Sequence, residues 1–458
     1  MPESRSVEAP PIDVHAFLDR HPFSGFQWQV FALCFLVVLL DGFDTAAIGY
    51  VAPSLIAEWG VTRPELGPVL SAALFGLAFG ALGSGPLADR LGRRQVLVGS
   101  VVLMGAGCLA SALATSLGQL VALRFVTGLG LGAAMPNAVT LTSEYCPAQR
   151  RATLTNAMFC AFPLGASLGG FLASWMIPLL GWRSVLVLGG VAPLLLAVVL
   201  LARLPESLRY LVASGRPVEE VRAILTRIAP SAAGTGALVA GERAPAAERS
   251  GLGLVLSGAY LAGSVSLWVA YFMGLVIFYA LINWMPLLFR DAGLAPQGAI
   301  LIAALFPLGG VGAVALGALM DRTNGTLALA AGFALTALAV YLVGQAAGDL
   351  GLLVAAVFLA GVLMNTSQCA LPALAAAFYP TRGRATGVAW MLGVGRFGGI
   401  AGTFLVAELS RRQLAFGDIF TTVAVPGLIA AAALVVKQIV HPERREAPAD
   451  ASAGAMER

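Results

Sequence analysis

The chain reads as an all-α membrane protein of twelve transmembrane helices arranged in two six-helix halves. Three observations predict this. Hydrophobic residues make up 58% of the 458 residues and charged residues only 11%, where a soluble domain carries about 25% charged residues. Apolar runs of roughly 20 residues, enough to cross hydrocarbon as a helix, recur along the chain. Loops of matching sequence follow equivalent runs in the first and second parts.

The runs lie near 27–50, 66–86, 95–114, 118–141, 153–177, 182–202, 262–288, 297–319, 327–346, 351–376, 385–407 and 418–437. They are continuous and do not alternate, which favours helices over barrel strands. Arginine placement orients them. Loops near 87–94, 142–152, 203–250, 320–325 and 380–384, with both tails, hold most of the 28 Lys and Arg, while the opposite loops hold Arg63, Arg183, Arg290, Arg411 and Arg412. The positive-inside rule then puts both termini and the long central loop in the cytoplasm of a bacterial-type inner membrane. The net charge of +4 follows from those arginines and calls for no nucleic-acid partner. The first 26 residues are polar and contain proline, without the pattern of a cleavable signal peptide.

The expected organisation is a cytoplasmic N-terminal segment (1–26), a first six-helix bundle (27–204), a cytoplasmic linker with surface helices (205–255), a second bundle (256–438) and a cytoplasmic tail (439–458). The linker opens Pro205-Glu206-Ser207-Leu208-Arg209-Tyr210-Leu211, shows a helical pattern near 217–229 and turns Ala/Gly/Ser-rich near 230–251.

Cys34, Cys108, Cys146, Cys160 and Cys369 fall in runs or at their ends with no CxxC, and His15, His21 and His441 lie outside the runs. The cysteines read as small packing residues. Neither a metal site nor any other cofactor is expected, and a proton carrier inside the membrane has to be a carboxylate. Lacking a phosphate-binding G-x-x-x-x-G-K-[ST] run and any nucleophile constellation, the chain reads as neither an ATP-driven pump nor an enzyme.

Two carboxylates, Asp41 and Asp44, sit in the first run as Asp41-Gly42-Phe43-Asp44-Thr45. Charge in hydrocarbon is costly and marks a protein interior or a water-filled path, and residues three apart share a helix face. Asp41 lies roughly 20 Å into the helix. A buried carboxylate favours holding its proton and a nearby cation favours releasing it, so alternation between those settings loads and unloads a proton. Arg124, roughly 10 Å from the outer end of the fourth run, is at a similar depth to Asp44. Arg396, roughly 18 Å into the eleventh run, has no obvious acidic partner in the second half. An anionic substrate would offset its cost, and arginine grips a carboxylate bidentately.

The repeat is visible in the loops. Gly85-Pro86-Leu87-Ala88-Asp89-Arg90-Leu91-Gly92-Arg93-Arg94 is echoed by Gly317-Ala318-Leu319-Met320-Asp321-Arg322, and Cys146-Pro147-Ala148-Gln149-Arg150-Arg151 by Tyr379-Pro380-Thr381-Arg382-Gly383-Arg384. Parallel six-plus-six halves with a central site are a known transporter plan.

The G-x-x-x-D-R-x-G-R-R loop, with the Arg124-Phe-Val-Thr-Gly128-Leu-Gly130 run, resembles the major facilitator superfamily over essentially the whole chain. Asp41-Gly42-Phe43-Asp44 resembles the D-G-x-D element of its aromatic acid:proton symporters, carriers of hydroxybenzoates and related acids. The resemblance implies the major facilitator fold, a monomer, and import of an aromatic carboxylate with protons by alternating access. It brings the first and fourth runs to one cavity, which makes Asp44 and Arg124, with Asp41 close by, the expected coupling unit, and Arg396 the first candidate for the substrate carboxylate, with Arg124 as the alternative. Asp89, Arg90, Arg93, Arg94, Glu144, Arg150 and Arg151 are implied as cytoplasmic gating charges, with Asp321, Arg322, Arg382 and Arg384 as weaker counterparts; topology determination alone also accounts for surplus arginines. Tyr279, Asn283 and Trp284 are candidates to stack an aromatic ring or bind its hydroxyl, although aromatics also simply pack cores. Asn365 and Gln368 are further polar candidates. The glycine runs at 165–170, 309–312 and 398–402 read as close helix contacts. Other readings remain open: a carrier of another small acid or a sugar, an exporter, or a membrane sensor of aromatic acids.

Overall fold

In the computed structural model, which describes residues 12–229, 238–239, 250–312, 324–346 and 348–442, eleven helices are long and apolar enough to cross a membrane. In chain order they are spans one to seven (Gly25–Trp59, Arg63–Leu91, Arg93–Ser111, Leu117–Tyr145, Ala148–Leu180, Arg183–Arg203, Leu261–Asp291) and nine to twelve (Gly325–Gln345, Leu350–Phe378, Thr381–Arg411, Phe416–Val440). Span eight is described as Pro296–Leu308 followed by a 3-10 turn, Gly309–Gly312. The rest of the run expected to reach 319 lies outside the described residues.

The spans outrun their apolar runs. Span one starts at a capping box in which the Ser24 N–H donates to Gln27 Oε1 at 2.8 Å and Ser24 Oγ accepts from the Gln27 N–H at 3.3 Å. It continues through Pro53 and stops only at Gly60, whose φ of 65° needs a residue without a Cβ penalty. The apolar run ends near residue 50, but helix caps, not hydropathy, set helix ends. Large apolar side chains such as Leu82 and Ile439 are more than 70% exposed, as expected where acyl chains replace water.

Packing repeats with a period of six spans. One packs on five as seven does on eleven; two on four as eight on ten; three on six as nine on twelve. Between the halves, two meets eleven, five meets eight, and one meets seven. Exchanging the halves maps this set onto itself. Glycine makes the closest contacts: a side chain at Gly165 would collide with the Leu39 carbonyl of span one, and a side chain at Gly402 with the Val276 carbonyl of span seven. These are the same contact, five on one and eleven on seven.

Two short helices follow span six, Leu208–Ala213 and Val218–Ile228. The second buries Val221, Leu225 and Ile228 in a cluster with Phe26 and Val30 of span one. A two-residue parallel bridge pairs Ile12–Asp13 with Leu238–Val239. The start of span one, these helices and the end of span twelve lie on one side, called the terminal face below.

Candidate functional site

Span one carries both carboxylates, but three residues of helix rotate their side chains about 60° apart. The two acids therefore meet different neighbours. Asp44 turns into its own half. Arg124 of span four grips it with both arms of the guanidinium, Nη1 to Oδ1 and Nη2 to Oδ2, each at 2.9 Å, and Nη2 also donates to the Asp44 carbonyl at 3.2 Å. Neither side chain is more than 1% exposed. Gly128 and Gly132 let spans four and two approach backbone to backbone, and Gly130 does the same for span three. Cys108 of span three is within electrostatic range of both members of the pair and its thiol donates to the Leu186 carbonyl at 3.3 Å.

Asp41 turns toward the second half. It accepts a long hydrogen bond from Thr45 Oγ1, 3.4 Å, and lies within electrostatic range of Arg396 on span eleven and Tyr279 on span seven. Arg396 donates from Nη1 to the Leu77 carbonyl of span two at 3.1 Å, so its one described hydrogen bond crosses between the halves. Tyr271 stands beside it, against Gly395. Asp41, Arg396, Tyr271 and Tyr279 thus converge from both halves on one place near the centre of the bundle.

The remaining lining candidates separate. Tyr279 lies over Gly399 and is 9% exposed. Asn283 and Trp284 both turn to Thr403: Asn283 Nδ2 donates to Thr403 Oγ1 at 3.0 Å, and the Trp284 indole N–H to the Thr403 carbonyl at 3.1 Å. Trp284 is fully buried, with its polar hydrogen spent inside the second half. Asn365 donates to the carbonyls of Phe306 and Gly361, at 3.0 and 2.8 Å, and holds spans eight and ten together. Gln368 Nε2 donates to the Tyr271 carbonyl at 3.3 Å, which ties span ten to the Arg396 neighbourhood.

The gating candidates of the first half form a network on the terminal face, within that half. Asp89 pairs with Arg93 at 2.7 Å. The Arg94 N–H donates to Glu206 Oε1 at 3.0 Å and its guanidinium to the Leu201 carbonyl. The Ser207 hydroxyl donates to the Glu144 carboxylate, the Tyr145 hydroxyl to the Glu206 carbonyl at 2.6 Å, and the Tyr210 hydroxyl to the Arg90 carbonyl at 3.1 Å. Arg151 donates to the Ser143 carbonyl at 3.2 Å, while Arg150 and Arg384 are exposed. Asp321, Arg322 and the Arg382 side chain lie outside the described residues.

Polar contacts between halves run from the centre to the opposite face: Arg396 to Leu77, Ser167 Oγ to the Ala304 carbonyl (2.9 Å), Arg290 to the Pro53 carbonyl (2.7 Å), and an ion pair between Arg63 and Asp291 (2.8 Å). The halves are closed toward that face.

Sequence reasoning missed Glu206, Ser207, Tyr271, Thr403 and the Leu77 carbonyl. The Pro205-Glu206-Ser207 run is a visible signal for the first two. A backbone acceptor such as Leu77 leaves no signal in side-chain chemistry. Among the described residues no group of three or more His, Cys, Asp or Glu is placed to hold a metal.

Two pseudo-equivalent helical bundles, with charged groups facing one another across their seam, define a membrane carrier and not an enzyme. The Major Facilitator Superfamily profile matches residues 34–403, and the chain belongs to that family. It is 51% identical to the 4-hydroxybenzoate transporter PcaK of Pseudomonas aeruginosa over 94% of this chain and 96% of that protein. It is 43% identical to a gallate transporter of Pseudomonas putida over 96% and 97% of the two chains. Among solved structures, the inward-open xylose transporter XylE from E. coli superposes with a TM-score of 0.70 at 18% identity, covering 92% of this chain and 97% of that one. That likeness concerns the fold.

Proposed function

We propose that the protein imports an aromatic carboxylate, of the 4-hydroxybenzoate or protocatechuate type, together with protons across the bacterial inner membrane by alternating access. It works as a monomer with both termini in the cytoplasm. The bundles of 27–204 and 256–438 rock as units, joined by the 205–255 linker and flanked by the 1–26 segment and the 439–458 tail. The observation that carries this reading is the convergence of Asp41 and Arg396 from opposite halves. The relatives' names supply the aromatic acid.

The chemistry follows from the placement. Among the described residues Arg396 donates one hydrogen bond, to a neutral carbonyl, so a substrate carboxylate competes for it with a stronger, charge-assisted and bidentate bond. Leaving Leu77 frees spans two and eleven to part. Asp41 shares the neighbourhood of Arg396, so a substrate anion arriving there favours protonation of Asp41, and loss of that anion favours release of the proton. Asp44 and Arg124 keep span one docked on span four. Tyr279 and Gln368 line the ring site, with Asn283 beyond them. Trp284 and Asn365, whose polar hydrogens are spent inside the bundle, pack it. Arg124 is the alternative carboxylate site if the ion pair opens.

Asp89, Arg90, Arg93, Arg94, Glu144, Arg150 and Arg151, with Asp321, Arg322, Arg382 and Arg384 of the second half, gate the terminal face. Their partners across the seam engage when the opposite face opens, a rigid-body switch between two packings. The test is uptake of labelled 4-hydroxybenzoate into proteoliposomes under an imposed inward proton gradient. Uptake that a protonophore collapses and that protocatechuate, but not glucose, competes is the expected result. Uptake of glucose instead, or acid uptake indifferent to the proton gradient, would overturn it.

A further inference from the structure

We infer that Asn283, oriented by Thr403, accepts a hydrogen bond from a donor substituent on the substrate ring, so that the carrier selects hydroxylated or amino-substituted aromatic acids over plain benzoate. The inference rests on the aromatic-acid reading above and adds the group that the site reads beyond the carboxylate.

The orientation of the Asn283 amide is settled by its partner. The Thr403 hydroxyl gives its own proton to the Gly399 carbonyl, at 3.0 Å. Its oxygen can then only accept from Asn283, which fixes the amide NH2 toward Thr403 and turns Oδ1 away. That Oδ1 is buried and has no hydrogen-bond donor among the described residues, on a side chain 1% exposed overall. The neighbouring Trp284 N–H is committed to the Thr403 carbonyl. A buried acceptor without a donor is costly, and a donor brought by the substrate removes the cost.

The distance fits. Thr403 lies seven residues beyond Arg396 on span eleven, about 10 Å along the axis, and Tyr279 is one turn before Asn283 on span seven. That rise is comparable to a para-substituted benzoate with a hydrogen bond at each end. The carboxylate would sit on Arg396, the ring against Tyr279, and the para substituent at Asn283.

In the conformation described, span one packs on the backbone of span seven at Asn283: a side chain at Gly49 would meet the Ile282 carbonyl and, at 3.0 Å, the Cα of Asn283. Arg63–Asp291 and Arg290–Pro53 keep spans two and one on span seven. The acceptor is uncovered when these part, so the ring substituent is read in the state open to the opposite face, where substrate is captured. A buried acceptor built for a donor rejects an analogue that lacks one far better than an apolar pocket rejects an extra group.

The test uses the purified full chain in proteoliposomes and measures competition against labelled 4-hydroxybenzoate. For the wild-type protein, 4-aminobenzoate is expected to compete comparably, while benzoate, 4-fluorobenzoate and 4-methoxybenzoate compete at least about tenfold more weakly. In Asn283→Leu the gap is expected to close: KM for 4-hydroxybenzoate rises while the benzoate inhibition constant holds or improves. Thr403→Val should narrow the gap partway. Methoxy and fluoro analogues competing as well as the hydroxy acid, or Asn283→Leu weakening all ligands alike, would overturn the assignment. If Asn283→Leu does not fold, Asn283→Ser and Thr403→Val carry the test with the same readout, and an undiminished gap in both would overturn the assignment. Wild-type protein indifferent to every benzoate would instead sink the aromatic-acid reading and take this assignment with it.

Discussion

Arg124 is fully buried and Arg396 half-buried inside their spans, and their surroundings differ in kind. Arg124 is closed on Asp44 by two matched hydrogen bonds inside one half. Arg396 reaches across the seam to a neutral carbonyl of the other half, with Asp41 and two tyrosines nearby. In the proposed rocking of the halves, everything inside one half would move together, so the first arginine would keep its partner and the second would lose its own. The lesson is that a buried charge pair within a rigid body serves as a joint, whereas a charge shared between rigid bodies can sense their movement. Asp41 and Asp44, three residues apart on one helix, fall on the two sides of that distinction.

The contrast can be broken experimentally. The largest effect is expected from Asp44→Ala, which strands the Arg124 charge in the bundle; removing one member of a buried pair costs about 3–5 kcal/mol. A thermal unfolding series in detergent should show the loss, together with loss of uptake. Unchanged stability would mean the pair is not the joint described. Asp41→Asn should leave the protein folded but unable to accumulate substrate against its gradient, while exchange of labelled for unlabelled acid persists. Normal accumulation by this variant would remove Asp41 from proton coupling.

Arg396→Lys keeps the charge but loses the two-armed grip. A rise of about tenfold in the apparent Kd for the aromatic acid, roughly 1.4 kcal/mol, is expected in equilibrium binding; an unmoved Kd would shift the carboxylate to Arg124. The smallest effect belongs to the half-exposed Arg63–Asp291 pair. Exposed ion pairs contribute up to about 1 kcal/mol, so Asp291→Asn should raise labelling of a cysteine placed at Ala407, which faces Gly67 of span two across the seam, by a few-fold at most. A much larger rise would make this pair the main latch of the opposite face.

Much of the fold was legible because its causes are local. The apolar runs, the repeated loops and the glycines at 165–170 and 398–402 each announce a helix, a repeat or a close contact without reference to distant residues. The site was legible as a set of residues, since a charge inside an apolar run is conspicuous wherever it sits. Its wiring was less so. Asn283 and Trp284 are neighbours of similar appeal in sequence, but Trp284 spends its N–H within the second half, whereas the Asn283 acceptor meets no donor among the described residues. Glu206 stood in a recognisable run, yet its link to Arg94 spans 112 residues.

The chain by itself thus determined that this is a twelve-span carrier with carboxylates and arginines at its centre, because hydrophobicity and buried charge are properties of single residues and short windows. The pairing of Asp44 with Arg124 was already expected from the resemblance; tertiary structure alone decided that Asp41 instead faces Arg396, that Leu77 offers a carbonyl to the latter, and that Thr403 orients Asn283. Those outcomes depend on helix rotation and on backbone groups that every residue shares, and neither leaves a mark in the order of side chains.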